Sequence, residues 1–306
     1  MNRLEQKYQA LEGLPANVYY NPNVFQKEKE LIFYKKWIFV GHKTQIQQPG
    51  EYFVAQIADQ NVIVIRGEDS QIHAFNNACL HRGHELLQGK GKTSQIVCPY
   101  HGWSYRSNGK LAKAPYSNEV EGFDVNNYCL PRIKLHEICG LIFINLDPQA
   151  IPFSQDFPNL EASLRTYIPN IDQLNVRYSQ QFSVKSNWKN LVDNSVDNYH
   201  TPFVHPALSK GTNMTSFKHI FKGSYVYSIA ETNKTKTIYQ FAQEDYEQFV
   251  WWFIWPSVEI ATFPGKGMRL YRIKPDNPTQ TQQDFSYLFT NGTPKALLIR
   301  CMNSPP

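Results

Sequence analysis

Two short cysteine–histidine pairs constrain this chain more than any other feature: Cys79-Leu80-His81 and, after sixteen intervening residues, Cys98-Pro99-Tyr100-His101. Each pair offers one thiolate and one imidazole from a turn, so two loops can clamp one centre from opposite sides. Four nitrogen and sulfur donors suit tetrahedral zinc. They also suit a [2Fe–2S] cluster with the cysteines on one iron and the histidines on the other. Zinc modules usually space each ligand pair by two or more residues, and Cys79-x-His81 is tighter than that. Gly83, Gly102 and Pro99 would let the backbone turn closely enough for amide N–H groups to reach cluster sulfurs.

The rest of the composition narrows the class. At about 100–200 residues per domain, a chain of 306 residues, 42% hydrophobic and 19% charged, holds one large or two ordinary domains with ample core. Its net charge of +5 comes from Lys and Arg spread along the chain, so no nucleic-acid partner is expected. No run approaches the ~18 apolar residues of a membrane span, and the opening MNRLEQKYQALEGLP lacks a signal-peptide hydrophobic region. A soluble cytoplasmic protein without a membrane partner is the expectation. Five cysteines, an odd and sparse set, do not suggest a disulfide framework. Cys129, Cys139 and Cys301 read as incidental thiols, and His42, His73, His136 and His219 as structural.

Along the chain, Phe25, Leu31, Ile32, Phe33 and Trp37 sit at spacings that predict one amphipathic helix from Phe25 to Phe39. From Gly50 to Gly140 short strand-like runs (EYFVAQI, NVIVIRG, IHAFNN, QIVCPY) alternate with turn signals, which predicts a small antiparallel β domain closed by GLIFINLDP. The Pro-rich DPQAIPFSQDFP reads as a linker into a second unit. That unit holds a strand QQFSVKS, a helix from Trp188 to His200, and strand-like SYVYSIA, KTIYQFA, VEIATFP, GMRLYRIKP and QQDFSYLFT.

A second constellation lies in that helix. At about 100° per residue, Asp193, Asp197 and His200 fall on one stripe, with Trp188, Leu191, Val192, Ser195 and Tyr199 opposite. Taken alone this is an amphipathic helix with a solvated side. His205, however, lies five residues after His200, and Pro202 and Pro206 would turn the chain so that both imidazoles reach one metal. Two histidines with a nearby carboxylate fit part of a two-His-one-carboxylate site for non-haem Fe(II).

CLHRG…CPYHGW resembles the Rieske signature, in particular that of Rieske-type oxygenases. Respiratory Rieske proteins carry two further cysteines joined by a disulfide, where this chain has His84 and Tyr100. Asp193-Asn194-x-x-Asp197-x-Tyr199-His200-x4-His205-Pro206 likewise resembles the catalytic-iron motif of Rieske oxygenase α subunits. The resemblance implies that Cys79 and Cys98 bind one iron of a [2Fe–2S] cluster and His81 and His101 the other, and that His200 and His205 bind a mononuclear Fe(II). It implies that Asp197 is the catalytic acid coupling the Rieske histidine of a neighbouring subunit to that iron. Asp193 and Asn194 match the pair before it, with an orienting role. A ferredoxin or flavin reductase would supply electrons from NAD(P)H, and the chain would act as a homotrimer on a small-molecule substrate and O2.

The implied architecture is α+β: an N-terminal helical segment over 1–40, packing on the catalytic domain, a Rieske antiparallel β domain over 41–147, and a catalytic helix-grip domain over 148–306. In the last, an antiparallel sheet wraps a long helix. In this family the third iron ligand is an Asp on a later helix, and the ending KALLIRCMNSPP contains no acidic residue. The catalytic domain is therefore expected to be incomplete at its C-terminus, through truncation or a frameshift. Glu231, Glu244, Asp245, Glu259 and Asp284 are the remaining acids that could substitute. Trp251, Trp252, Phe253 and Trp255 read as a core strand, or as an aromatic pocket for a ring or a quaternary ammonium. The pattern is nearest to carnitine, betaine and choline monooxygenases, with ring-hydroxylating dioxygenases as the other branch. An electron-transfer or degenerate protein that keeps the cluster without oxygenating is the alternative from another class, and a zinc-binding interaction protein a third.

Overall fold

The computed structural model describes residues 13–233, 248–263 and 267–293. Asn21 caps helix α1 (Pro22–Glu28), its side chain accepting from the Asn23 amide, with Pro22 in the first turn. The helix passes into a π turn at Lys29–Phe33 and stops there. The single helix expected to reach Phe39 is therefore shorter. Ile38–His42 instead forms strand β1, buried throughout, because it pairs with β10 (Leu141–Asn145) from Ile38 opposite Ile144 to His42 opposite Leu141. Pairing across a hundred residues outweighs the local helical spacing.

The first unit follows the sequence closely. Strands β2 (Glu51–Ile57), β3 (Gln60–Arg66), β4 (Ile72–Asn76) and β5 (Lys90–Lys92) form one sheet, in the order β4-β3-β2-β5. Strands β6 (Ile96–Val97), β7 (Ser104–Tyr105) and β8 (Leu111–Lys113) form a smaller one, and β9 (Lys134–Ile138) completes β1-β10-β9. Cys139 and Gly140, at φ 51° and 82°, make the two-residue turn between β9 and β10. Gly140 is required twice over, since a Cβ there would come within 2.3 Å of His42 Nε2.

His42 is 1% exposed. Burial, with the Lys43 charge adding to it, pushes its imidazole from 6.5 down to about 4, the Cys139 carbonyl only partly opposing. Between those values the unfolded chain binds more protons than the folded one, so this contribution is complete above pH 6.5 and is lost as pH falls toward 4. We expect acidification across that window to remove about 3 kcal/mol. Denaturant titrations at several pH values should show the slope flattened in His42→Gln.

The Pro-rich segment is only partly a linker: its second half forms α2 (Phe153–Asp156), and Phe153 and Phe157 are buried. With α3 (Leu160–Tyr167) it packs into a core with Trp252, Leu270 and Leu288. The second unit is a seven-stranded antiparallel sheet. Its strands are β11 (Asn175–Val184), β12 (Lys218–Lys222), β13 (Tyr225–Glu231), β14 (Gln248–Ile254), β15 (Val258–Phe263), β16 (Gly267–Asn277) and β17 (Gln280–Phe289). Their order is β11-β17-β16-β15-β14-β13-β12, which leaves β11 and β12 as edges. The expected strand KTIYQFA, with Glu244 and Asp245 after it, and the tail from residue 294 with Cys301 lie outside the described residues.

Helix α4 (Trp188–Val196) packs against β16. Asn187 caps it by accepting from the Lys189 amide. The helix ends at Val196, short of the expected His200, because Asp197 adopts extended backbone at φ −94° and ψ 136°. Tyr199 therefore leaves the apolar stripe and is 82% exposed. Two short helices follow, α5 (Thr201–Val204) and α6 (Pro206–Gly211). Val40, Val62, Phe33, Trp188, Tyr271 and Phe285 share one core, which ties the N-terminal segment, the first unit and α4 together.

Candidate metal centres

The two cysteine loops have the same backbone. Cys79 N–H donates to His84 O at 2.9 Å and Gly83 N–H to Cys79 O at 2.8 Å; Cys98 N–H donates to Trp103 O at 2.7 Å and Gly102 N–H to Cys98 O at 3.0 Å. Gly83 and Gly102 sit at φ 70° and 71°, a left-handed turn that glycine enters without strain. These turns bury the sulfurs, with Cys79 3% and Cys98 2% exposed, and bring His81 and His101 to the surface, their ring centroids 4.7 Å apart. His81 stacks on Trp103 at 5.1 Å and His101 lies against Tyr100 at 3.9 Å.

Sequence reasoning missed Tyr105. Its hydroxyl lies 3.2 Å from Cys79 Sγ and accepts from the Leu80 amide at 3.1 Å. Strand β7 sets it there, and its place two residues after Cys98-x-x-His101-Gly-Trp was the only available signal. Burial pushes the Cys79 thiol up; Tyr105 and the His81 amide oppose this, and the neighbouring Cys98 sulfur adds to it. Burial thus disfavours the free Cys79 thiolate, and a bound metal would take up that charge. Among the described residues no three His, Cys, Asp or Glu side chains converge as they would on one ion. Two buried sulfurs beneath two surface imidazoles therefore fit a two-iron cluster ligated in pairs better than one tetrahedral ion.

The second site forms where α4 ends. His200 precedes the single turn of α5 and His205 follows it, and their ring centroids are 5.3 Å apart, so the proline-directed turn brings the two imidazoles together. Asp197 Oδ2 lies 3.2 Å from His200 Nδ1, and Oδ1 accepts from the Tyr199 amide at 2.6 Å. Burial pushes the Asp197 carboxyl up, but the Tyr199 amide and His200 outweigh it and hold the group below the usual carboxylate range. Burial, with the charges of His200 and Arg269, pushes the His205 imidazole down. A neutral imidazole beside one oriented by a carboxylate is the donor state that a metal requires, so the pair fits mononuclear iron. Asp193 stands apart: burial pushes its carboxyl up, with only Lys189 opposing.

The other candidates divide. Trp252 is fully buried and donates to Ser163 Oγ at 2.9 Å, a core residue. Trp255 packs 5.8 Å from Trp188, and Trp251 packs 5.1 Å from Phe217. Alternation along β14 puts Trp251 with Phe253 on the sheet face that carries α4. Glu259 is committed to Arg269 at 2.6 Å, Asp284 to Lys274 at 2.7 Å, and Glu231 accepts from Asn213. None of these three joins His200 and His205 as a third ligand. His73 pairs with Asp69 at 3.0 Å, and Cys139 serves the hairpin turn.

This arrangement joins a paired cysteine–histidine site that fits a two-iron cluster to a histidine pair that fits one iron, on an antiparallel sheet. Residues 36–128 match the family described as Rieske [2Fe-2S] domain, and residues 171–297 that described as ring hydroxylating alpha subunit (catalytic domain). The carnitine monooxygenase oxygenase subunit of Escherichia coli (strain K12) is 32% identical over 281 residues, covering 91% of this chain and 75% of that protein. The glycine betaine monooxygenase oxygenase subunit of Chromohalobacter salexigens is 36% identical over 199 residues, covering 64% of this chain and 44% of that protein. A crystal structure of a quaternary ammonium Rieske monooxygenase bound to an inhibitor has a TM-score of 0.86 at 30% identity, covering 94% of this chain and 78% of that one. The chain belongs to the Rieske non-haem iron oxygenase α subunits.

Proposed function

We propose that this protein is the oxygenase component of a monooxygenase acting on a quaternary ammonium compound. Residues 41–147 hold the cluster through Cys79, His81, Cys98 and His101; residues 148–306 hold the mononuclear iron through His200 and His205; the described part of the segment before them shares a core with both. When bound, the two centres supply electron storage and O2 activation. A reductase delivers electrons from NAD(P)H. His81 and His101 lie at the surface, and Asp197 is 48% exposed beside His200. A homotrimer in which His81 or His101 of one copy meets Asp197 of the next uses both surfaces, and native mass spectrometry reads its mass. No helix among the described residues is long and apolar enough to cross a membrane.

One observation carries the reading: a single chain presents both donor sets, with the imidazoles of each at or near the surface. The quaternary ammonium class rests on the named relatives, and Trp251 and Trp255 offer faces for a cation. O2 uptake with a reductase and NADH is the test. Carnitine, glycine betaine or choline should stimulate it and naphthalene should not. Iron content separates this from the electron-transfer reading, which draws support from there being, among the described residues, no third ligand that converges with both His200 and His205 as on one ion. About three irons per chain support the oxygenase and about two the electron carrier.

Tyr105 tunes the cluster in this reading. A hydroxyl donating to a ligand sulfur favours the more negative, reduced state. One such bond is worth roughly 1 kcal/mol, so Tyr105→Phe should lower the reduction potential by about 50 mV. Protein-film voltammetry reads it directly.

A further inference from the structure

We propose that a cleft between β1 and the strands β11, β16 and β17 is a binding site for a small carboxylate, separate from both metal centres. The cleft has a volume of about 270 Å³ and is lined among others by Gln45, Ser179, Gln180, Arg272, Asp284 and Ser286. Alternation along β16 puts Leu270, Arg272 and Lys274 on the opposite face from Arg269, whose charge reaches His205, and from Tyr271, which shares a core with Trp188. The site is thus on the far side of the sheet from the histidine pair.

Arg272 is the reason to assign a ligand. It is 7% exposed, yet no carboxylate is hydrogen-bonded to it. Nη2 donates to Gln56 O at 2.8 Å, Nη1 reaches Val40 O only at 3.5 Å, and Nε has no hydrogen-bond partner among the described residues. The acid in the cleft, Asp284, is bound to Lys274 at 2.7 Å and accepts from Gln181 at 2.8 Å. Asp284 also stands opposite Arg272 in the β16–β17 register and its charge acts on both cations, so Arg272 and Lys274 share one carboxylate and the cleft keeps a net positive charge. Burying two cations against one carboxylate is costly, and Arg272 keeps donors that no protein acceptor satisfies well, Nε without a partner and Nη1 only weakly engaged, on a group suited to carboxylates. Ser179, Gln180 and Ser286 add polar groups, and the cleft is larger than a single halide needs. β11 is an edge strand and Ser179 is exposed, so that side provides the mouth.

The test is titration of the full chain with ¹³C-labelled acetate, followed by NMR at fixed ionic strength. Saturable one-to-one binding is expected. It should weaken about tenfold or more in Arg272→Met, and by a similar factor in Ser179→Phe, which plugs the mouth without touching the guanidinium and keeps the test sound if the arginine variant misfolds. Formate should displace acetate and an equal concentration of chloride should not. Absence of saturation in the millimolar range, unchanged binding in Ser179→Phe, or equal displacement by chloride would overturn the proposal. The first of these would leave Arg272 as a clamp on the Val40 and Gln56 carbonyls alone. The readout is binding, so it stands or falls independently of oxygenase activity.

Discussion

Replacing Cys98 by serine should leave a folded, colourless protein that has lost the iron and acid-labile sulfide of its cluster. The side chain is 2% exposed, and the backbone bonds shaping its loop, from the Cys98 amide to Trp103 O and from the Gly102 amide to Cys98 O, do not involve sulfur. Serine fits the same space and keeps those bonds. What it removes is the soft anionic donor, and a hydroxyl does not replace a thiolate on iron. Losing even a group that only orients a ligand costs about 10–100-fold in metal affinity, and loss of the ligand itself should cost more. Cluster content in Cys98→Ser should fall below about a tenth of the parent value, with the reduced-state EPR signal gone and far-ultraviolet circular dichroism unchanged. Retention of the signal would mean that the paired-loop assignment is wrong. A parent protein that is colourless and carries one zinc would decide for the tetrahedral alternative.

Trp188→Ala should have the largest effect on stability. Trp188 is 1% exposed at the first turn of α4, edge-on to Phe33 at 5.0 Å and tilted against Trp255 at 5.8 Å. Its Nε1 donates to Glu28 at 2.8 Å, and Lys189 holds the same carboxylate at 2.6 Å. This one residue pins the helix leading to Asp197, His200 and His205 onto both the sheet and the N-terminal segment. Truncation leaves a large cavity and should cost about 3–5 kcal/mol, a sizeable part of the roughly 5–15 kcal/mol that keeps most proteins folded. Chemical denaturation measures the loss. Trp188→Phe should recover much of it, since a ring still meets Phe33. The alanine variant should also hold mononuclear iron more weakly, while its cluster, carried on the separate core of Ile96, Tyr105 and Leu111, keeps its spectrum. Equal loss of both centres would show that the two units unfold together.

Much of the site was legible because its chemistry is local in sequence. Cys79 and His81 are two residues apart, Cys98 and His101 three, and His200 and His205 are separated by one short turn, so the convergence of each pair needed only Gly83, Gly102, Pro202 and Pro206. Strands such as Glu51–Ile57 were legible for the same reason, as alternation and turn residues are properties of short windows. Local reading failed where distant residues decide. Ile38–His42 continues a helical pattern in sequence but is recruited into a sheet by Leu141–Asn145. The end of α4 at Val196 depends on the extended backbone at Asp197, whose carboxylate bonds the Tyr199 amide and meets His200.

The amino-acid sequence by itself determined the two candidate donor sets, the likeness to Rieske oxygenases and the order of the β elements, because each is written in contiguous residues. Only the tertiary structure decided that Tyr105 reaches the Cys79 sulfur, that Glu259 and Asp284 are ion-paired with Arg269 and Lys274, and that Arg272 lies buried, bonded to the Val40 and Gln56 carbonyls and to no carboxylate. Each of these depends on which strands lie side by side, and a buried charge acquires its cost or its partner only once the sheets have closed around it.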